Sequence, residues 1–250
     1  MFVPSVLHHR SSRCHQPNSS LPACFTILSW NIYKKNKKHP HFKPFIHDLM
    51  KDIPLDLCLL QEAAFSDNEA FAIPGFTFDA AANMEIRNIF YGVLTACSVQ
   101  PLKAKAYLSE GKESVFGPHK SLLESYYTLN NGTKLLVLNV HAINFREINR
   151  YHRELERFLV RVKDHKGPMI IAGDFNTWNK TRLKRLHELR EKLSLMMVPF
   201  ESKEKVKSFM GNHLDFIFYR GLKLKNYEVI EESMISDHNP LMAQFEIERF

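Results

Sequence analysis

The chain has 250 residues, 44% hydrophobic and 24% charged, a make-up that supplies a sizeable core and excludes disordered, collagen-like and membrane-embedded classes. A formal charge of +7 points toward an anionic partner without naming one, since a modest excess of Lys and Arg also suits proteins that bind no polyanion. No run approaches the ~18 apolar residues of a membrane span, and Cys14, Cys24, Cys58 and Cys97 lack the paired spacing of zinc or redox motifs.

Residues 1–23, rich in Ser, Pro and His without periodicity, read as a tail outside the fold, with 24–250 as one domain. Leu21-Pro22-Ala23-Cys24 faintly resembles a lipoprotein cleavage site, but residues 11–20 are polar where a signal core would be apolar. Cys58 and Cys97 lie in apolar runs, which fits buried reduced thiols and a cytoplasmic setting.

Residues 25–32 form a nearly continuous apolar run, as a central strand does, and stop at Asn31-Ile32. A helix is expected over 41–51, where Phe42, Phe45, Ile46, Leu49 and Met50 fall at helical spacing, and a strand over 55–61, ending on Glu62. No boundary is assigned within 65–82. Strands follow at 92–97 and 121–129, and Asn130-Asn131-Gly132 offers the positive-φ residues of a hairpin turn before a return strand over 134–140 that ends on His141. Period two sets Leu135, Val137, Asn139 and His141 on one face of that strand.

The strongest helix spans 147–164, with Ile148, Tyr151, Leu155, Phe158, Leu159 and Val162 on one stripe and a row of Arg on the solvent side. Met169-Ile170-Ile171-Ala172 is then an apolar strand released by Gly173 into the polar turn Asp174-Phe175-Asn176, before a second amphipathic helix from about 180. Strands at 214–219, 224–230 and 241–247 close the chain. Many strands, few helices and no strict alternation imply an α/β (α+β) architecture of two sheets packed face to face with helices outside.

Polar residues terminate these apolar runs: Asn31, Glu62, His141, Asp174 with Asn176, and Asp237-His238. Asp215 stands inside the apolar run 214–218, where a carboxylate costs several kcal/mol unless paired, and a histidine is its natural partner. Each residue alone has a plainer reading, as a helix cap, a turn residue or a structural histidine. Their joint occurrence suits something more definite. Carboxylate and amide oxygens without thiolates fit a hard divalent cation, magnesium or manganese, which Asn31, Glu62 and Asp237 could hold. An Asp215-oriented His238 can act as a base or remain cationic beside an anionic transition state, and the set describes cleavage of phosphate esters.

Trp30-Asn31-Ile32, Gln61-Glu62, Gly173-Asp174-Phe175-Asn176, Leu214-Asp215-Phe216 and Ser236-Asp237-His238-Asn239-Pro240 resemble, in order, the motifs of the endonuclease/exonuclease/phosphatase (DNase I-like) superfamily. Val140-His141-Ala142-Ile143-Asn144-Phe145 and the residues around Asp215 are closer still to a bacterial branch, the YafD-like proteins. The resemblance implies a four-layer α/β sandwich with its site at one edge of the two sheets. It implies that Asn31 and Glu62 bind the metal, with Asp237 joining them or a second ion. Asp174 would align or activate the attacking water, Asn176 hold a phosphoryl oxygen, and His238 contact the scissile phosphate. His141 would protonate the leaving group, with Asn144 near the phosphate.

For the substrate, nucleic acid comes first. Lys34 and Lys35 open a basic loop two residues past Asn31 and could touch flanking phosphates, and Trp178 could stack on a base. The alternative is a lipid-headgroup or inositol-phosphate ester. A non-catalytic binding module is the third reading, but it predicts loss of Glu62, Asp174 or His238, and all three are present. No stable membrane insertion and a monomeric state are expected.

Overall fold

In the computed structural model, which describes residues 8–10, 19–66, 71–112, 119–142, 148–200 and 205–248, the apolar runs become the strands of two sheets. The first half of the chain supplies β1 (His8–Arg10), β2 (Cys24–Asn31), α1 (Phe42–Asp52), β3 (Leu57–Phe65), β4 (Thr77–Ile86), β5 (Ile89–Cys97), β6 (Lys103–Lys112), β7 (His119–Thr128) and β8 (Lys134–His141). The second half adds α2 (Ile148–Val162), β9 (Met169–Asp174), α3 (Lys180–Lys192), β10 (Met196–Met197), β11 (Ser208–Phe209), β12 (Asn212–His213), β13 (Asp215–Arg220), β14 (Leu222–Val229) and β15 (Leu241–Ile247). Among the described residues one sheet has the order β1-β4-β5-β3-β2-β15-β14 and the other β10-β13-β9-β8-β7-β6, while β11 and β12 form a separate ribbon.

Strand alternation decides what each layer touches. Phe25, Ile27, Leu57 and Leu59 of the first sheet meet Leu135, Val137, Ile170, Ala172 and Ile217 of the second. On its outer face the first sheet packs Leu28, Trp30, Cys58 and Leu60 against Phe42 and Ile46 of α1. The second sheet covers Leu136, Leu138 and Ile171 with Phe158 and Val162 of α2 and Leu186 and Leu189 of α3. The result is the four-layer α/β sandwich. Each such side chain contributes roughly 1.5–3 kcal/mol by burial, so a one-residue slip of β8, which would exchange its two faces, is strongly disfavoured.

The strand directions bring distant residues to one edge. β2 and β3 run parallel, with Asn31 opposite Gln61, and β8 and β9 run parallel, with His141 opposite Asp174. Antiparallel β13 begins where β9 ends, pairing Asp215 with Asp174. Antiparallel β15 pairs Leu241 with Ser29, so residues 237–240 enter at the same edge. Beneath that edge a buried amide pair ties the sheets together: Gln61 Nε2 donates to Asn139 Oδ1 at 2.8 Å, and Asn139 Nδ2 donates to Leu94 O at 2.9 Å.

Several local expectations change. Two pieces of the presumed tail are placed in the fold: His8–Arg10 pair with β4, and Leu21 is fully buried and bridges Leu129. β3 does not stop at Gln61. It continues to Phe65 through a register shift between Leu60 and Ala63, with Glu62 at φ +50°. β4 and β6 arise where no element was assigned, from runs in which small and polar residues dilute the apolar signal.

Candidate active site

Asn31 closes β2, and its backbone carbonyl accepts Ser236 Oγ at 2.6 Å, fastening the loop that carries His238. Its side chain is spent on neighbours: Oδ1 accepts the Tyr33 N–H at 3.1 Å, and Nδ2 donates to Asp174 Oδ2 at 3.1 Å. Glu62 reaches the same group because the β3 bulge turns its side chain toward the partner sheet. Its Oε1 lies 3.7 Å from His141 Nε2 and its Oε2 3.4 Å from Lys34 Nζ.

Asp174 is almost wholly buried, and Oδ1 accepts the Asn176 N–H at 2.9 Å. Burial, with Asp215 adding to it, pushes its carboxyl up to about 6. Gly173 makes this possible: at φ +140° it lets β9 approach β8 so closely that a Cβ there would stand 2.0 Å from Val140 O. Asn176 follows in the left-handed region at φ +50°, with Nδ2 donating to Ala142 O at 2.9 Å.

Asp215 Oδ2 and His238 Nδ1 are 2.7 Å apart, both buried. Burial alone would discharge this imidazole, but the Asp215 carboxylate outweighs it and holds His238 cationic, up to about 9. Trp30 Nε1 donates to His238 O at 2.7 Å, so an indole fixed in the core under α1 sets the height of the ring's backbone.

His141 is different. Burial, then Lys120, His238 and Lys34, hold it well below the usual histidine range, so it is neutral. Lys120, itself buried, sets Nζ 3.0 Å from His141 Nε2. An ammonium only donates, so that ring nitrogen is an acceptor and carries no proton to give. The expectation that His141 protonates a leaving group therefore does not fit this arrangement.

The structure gathers Asn31, Glu62, His141, Asp174, Asn176, Asp215 and His238 and leaves out others. Asp237 turns its carboxylate outward, 2.7 Å from Lys207 Nζ and mostly solvent-exposed. Lys34 pairs with Glu62, and Lys35 enters the turn through its backbone N–H, bonded to Ile32 O at 2.9 Å. The Trp178 ring lies 4.7 Å from the Arg182 guanidinium, whose other face lies 4.7 Å from Tyr151. Arg182 Nη1 also donates to Asn176 O at 3.0 Å, which makes this buried cation a clamp on the Asp174–Asn176 turn. Asn144 lies outside the described residues. Lys120 went unread in the sequence, because a lysine beside a strand looks solvent-facing until register and packing are known.

A hard cation fits on one side of this group. Glu62 Oε2 is buried without a hydrogen bond, with the Lys34 ammonium 3.4 Å away in the place a cation would take, and Asn31 and Asp174 add oxygens to the same group of residues. Asp174, Asp215 and His238 also bring potential ligand atoms within 4.8 Å of one another, but His238 Nδ1 is engaged by Asp215 and the ring is cationic, so that trio is a poor metal cage.

Residues 28–238 match the Endonuclease/Exonuclease/phosphatase family. A UPF0294 protein of Vibrio parahaemolyticus is 36% identical over 222 residues, covering 88% of this chain and 76% of its own. One from Photorhabdus laumondii is 35% identical over 243 residues, covering 92% and 90%. The solved structure of an endonuclease/exonuclease/phosphatase family protein from Leptotrichia buccalis superposes with a TM-score of 0.66 at 14% identity, covering 89% of this chain and all of that one, a likeness of fold. These matches agree with the five ordered motifs: the chain belongs to the endonuclease/exonuclease/phosphatase family.

Proposed function

We propose that this chain is a divalent-metal-dependent hydrolase of phosphodiesters. One observation carries the reading: Asp174, bonded to Asn31 and joined to Glu62 through His141, lies within 4.8 Å of a buried cationic imidazole, His238, at one sheet edge. Asp174 is placed to orient a water and receive its proton, and His238 to neutralise charge growing on the phosphoryl oxygens. His141 holds Lys120 in place, so Lys120 supplies the second positive charge. Asn176, fixed by Ala142 and Arg182, offers its amide to the same phosphate. Magnesium or manganese held by Glu62 and the Asn31 amide oxygen would supply Lewis-acid withdrawal of charge from the ester.

For the substrate, we favour a lipid-headgroup phosphodiester over nucleic acid. Two of the three features that favoured nucleic acid are engaged within the protein, Lys34 with Glu62 and Trp178 with Arg182. Large apolar side chains stand exposed on the loops around the site: Tyr33, Phe209, Met210 and Met234. Among the described residues no helix is long and apolar enough to cross a membrane, so such a substrate would be met at a surface.

The test is a panel of bis(p-nitrophenyl) phosphate, plasmid, single-stranded DNA, RNA and phospholipid vesicles, with magnesium, manganese or a chelator. Metal-dependent turnover of the chromogenic diester, lost in Glu62→Gln and Asp174→Asn, is expected. Turnover unaffected by the chelator, or intact in Asp174→Asn, refutes the mechanism. Cleavage of nucleic acid but of no lipid restores the nuclease reading.

A further inference from the structure

We propose that the rim of this site is a docking surface for an anionic phospholipid bilayer, with the β11–β12 ribbon as its inserting tip. The proposal rests on the lipid-headgroup reading for its biological sense, but not for its physics. Seven large apolar side chains are exposed among the described residues, and four of them stand on the three loops that leave the site. Tyr33 follows Asn31, Phe209 and Met210 precede Asp215, and Met234 precedes His238.

These loops form one connected rim. Asn239 Nδ2 donates to Lys205 O at 2.9 Å and Lys207 Nζ reaches Asp237 at 2.7 Å, tying the ribbon to the Met234 loop. Ser236 Oγ fastens that loop to Asn31 O. From the other side, Asn212 Nδ2 donates to Trp178 O at 3.3 Å and Thr177 Oγ1 donates to His213 O, so the ribbon is anchored on the Asp174–Asn176 turn. Glu232 accepts the Met234 and Ile235 N–H groups at 3.0 and 2.8 Å, fixing the loop that presents Met234.

The tip itself is the most telling feature. Phe209 pairs with Asn212, which leaves Met210 and Gly211 as a two-residue turn with φ +50° and +76°, both left-handed. Such a turn favours Asn-Gly, and a methionine at its first position adopts a backbone that side chains resist. The chain thus holds a long, flexible apolar side chain 82% exposed at a position where Asn would fold more easily. Lys205 and Lys207 precede the ribbon and pair with Glu231 and Asp237, Glu232 on the Met234 loop is spent on backbone N–H groups, and on the Tyr33 loop Lys34 pairs with Glu62 while Lys35 and Lys38 add positive charge.

Nucleic acid accepts an apolar wedge at a single base step, whereas four apolar groups on three loops need a medium that is apolar over an area. Lysines above that medium match an anionic headgroup layer. The phosphodiester of such a headgroup would then lie at the level of the site.

The experiment uses the full chain with chelator present, sedimented with vesicles of phosphatidylcholine alone or mixed equally with phosphatidylglycerol. Binding to the mixed vesicles, weakened by salt, is expected. A Phe209→Thr/Met210→Asn double variant should bind roughly a hundredfold less tightly. Met210→Asn alone should bind more weakly while its thermal midpoint holds or rises, a pairing that misfolding cannot produce. The double variant should turn over bis(p-nitrophenyl) phosphate like the parent. Failure of the parent to sediment, or equal sedimentation of the double variant, overturns the proposal. So does loss of duplex-DNA binding in that variant with vesicle binding intact. Vesicle binding by a chain that cleaves no diester supports the docking surface and removes the catalytic reading.

Discussion

The Asp215–His238 pair makes stability depend on pH in a window where it is the largest contributor. The folded-state pKa of His238 is raised to about 9 from an ordinary 6.5, so its contribution is fully present below about 6.5 and lost as pH rises through about 9. Linkage puts that contribution at about 2 to 3 kcal/mol near pH 7 and about 1 or less near pH 8.5. His141 is held below the window and Asp174 titrates near 6, while Cys58 and Cys97, pushed up by burial, ionise within it only in the unfolded chain and add up to about 1 kcal/mol of further loss by pH 8.5. Urea unfolding followed by tryptophan fluorescence should therefore show the parent losing about 2 kcal/mol between those two pH values. In Asp215→Asn the imidazole loses the charge that offsets its burial and becomes neutral when folded, so the slope should shrink to the thiols' share, less than about 1 kcal/mol. A variant that kept the parent's slope, or a parent with none, would show that Asp215 does not hold the charge on His238.

Three further outcomes follow from the site's supports. Gly173→Ala must push β9 off β8, because its Cβ would meet Val140 O at 2.0 Å, and should cost more than about 3 kcal/mol by calorimetry; an unchanged melting temperature would refute the close approach. Manganese should raise the parent's thermal midpoint, and Glu62→Gln should weaken the apparent manganese affinity by at least about tenfold, since a neutral amide replaces the carboxylate; equal shifts would place the ion elsewhere. Arg182→Gln removes the bond to Asn176 O and both ring contacts, which should cost about 2 kcal/mol and lower kcat more than it changes KM. Arg182→Lys should recover part of the stability through ring contact and less of kcat, and full recovery of both would mean the guanidinium fork is idle.

The architecture was legible where the apolar signal was dense. The runs that became β2, β8, β9 and β15 are apolar enough to mark strands without neighbours, and the stripe on α2 is helical on its face. β4 was not, because Ala80, Ala81 and Ala82 are small residues that pack in strands or helices alike. β1 and Leu21 were missed for a related reason: three residues of edge strand and one buried leucine rest on partners 69 to 108 positions away, such as Asp79 for Arg10 and Leu129 for Leu21. Glu62 was found as a strand end although it is a bulge, and the two look alike in sequence since both interrupt an apolar run with a polar residue.

The site divides in the same way. Asn31, Asp174, Asp215 and His238 could be picked out because each puts polarity where the local pattern is apolar, and a buried charge demands a partner. Asp237 sits beside His238 in the chain and shares its bend, yet the bend that buries one side chain sends the other outward to Lys207. Lys120 has no such local conflict to betray it. It becomes part of the group only because β7 pairs Leu122 with Val140, which carries the preceding lysine alongside His141. The same limit hides the rim: Phe209, Met210 and Met234 read as ordinary apolar residues, and only the left-handed turn and the bonds joining the three loops turn them outward beside the phosphate-handling edge. Residues that act by what they exclude or contact across the fold are therefore silent in the sequence, whereas those that act by carrying charge into the core are not.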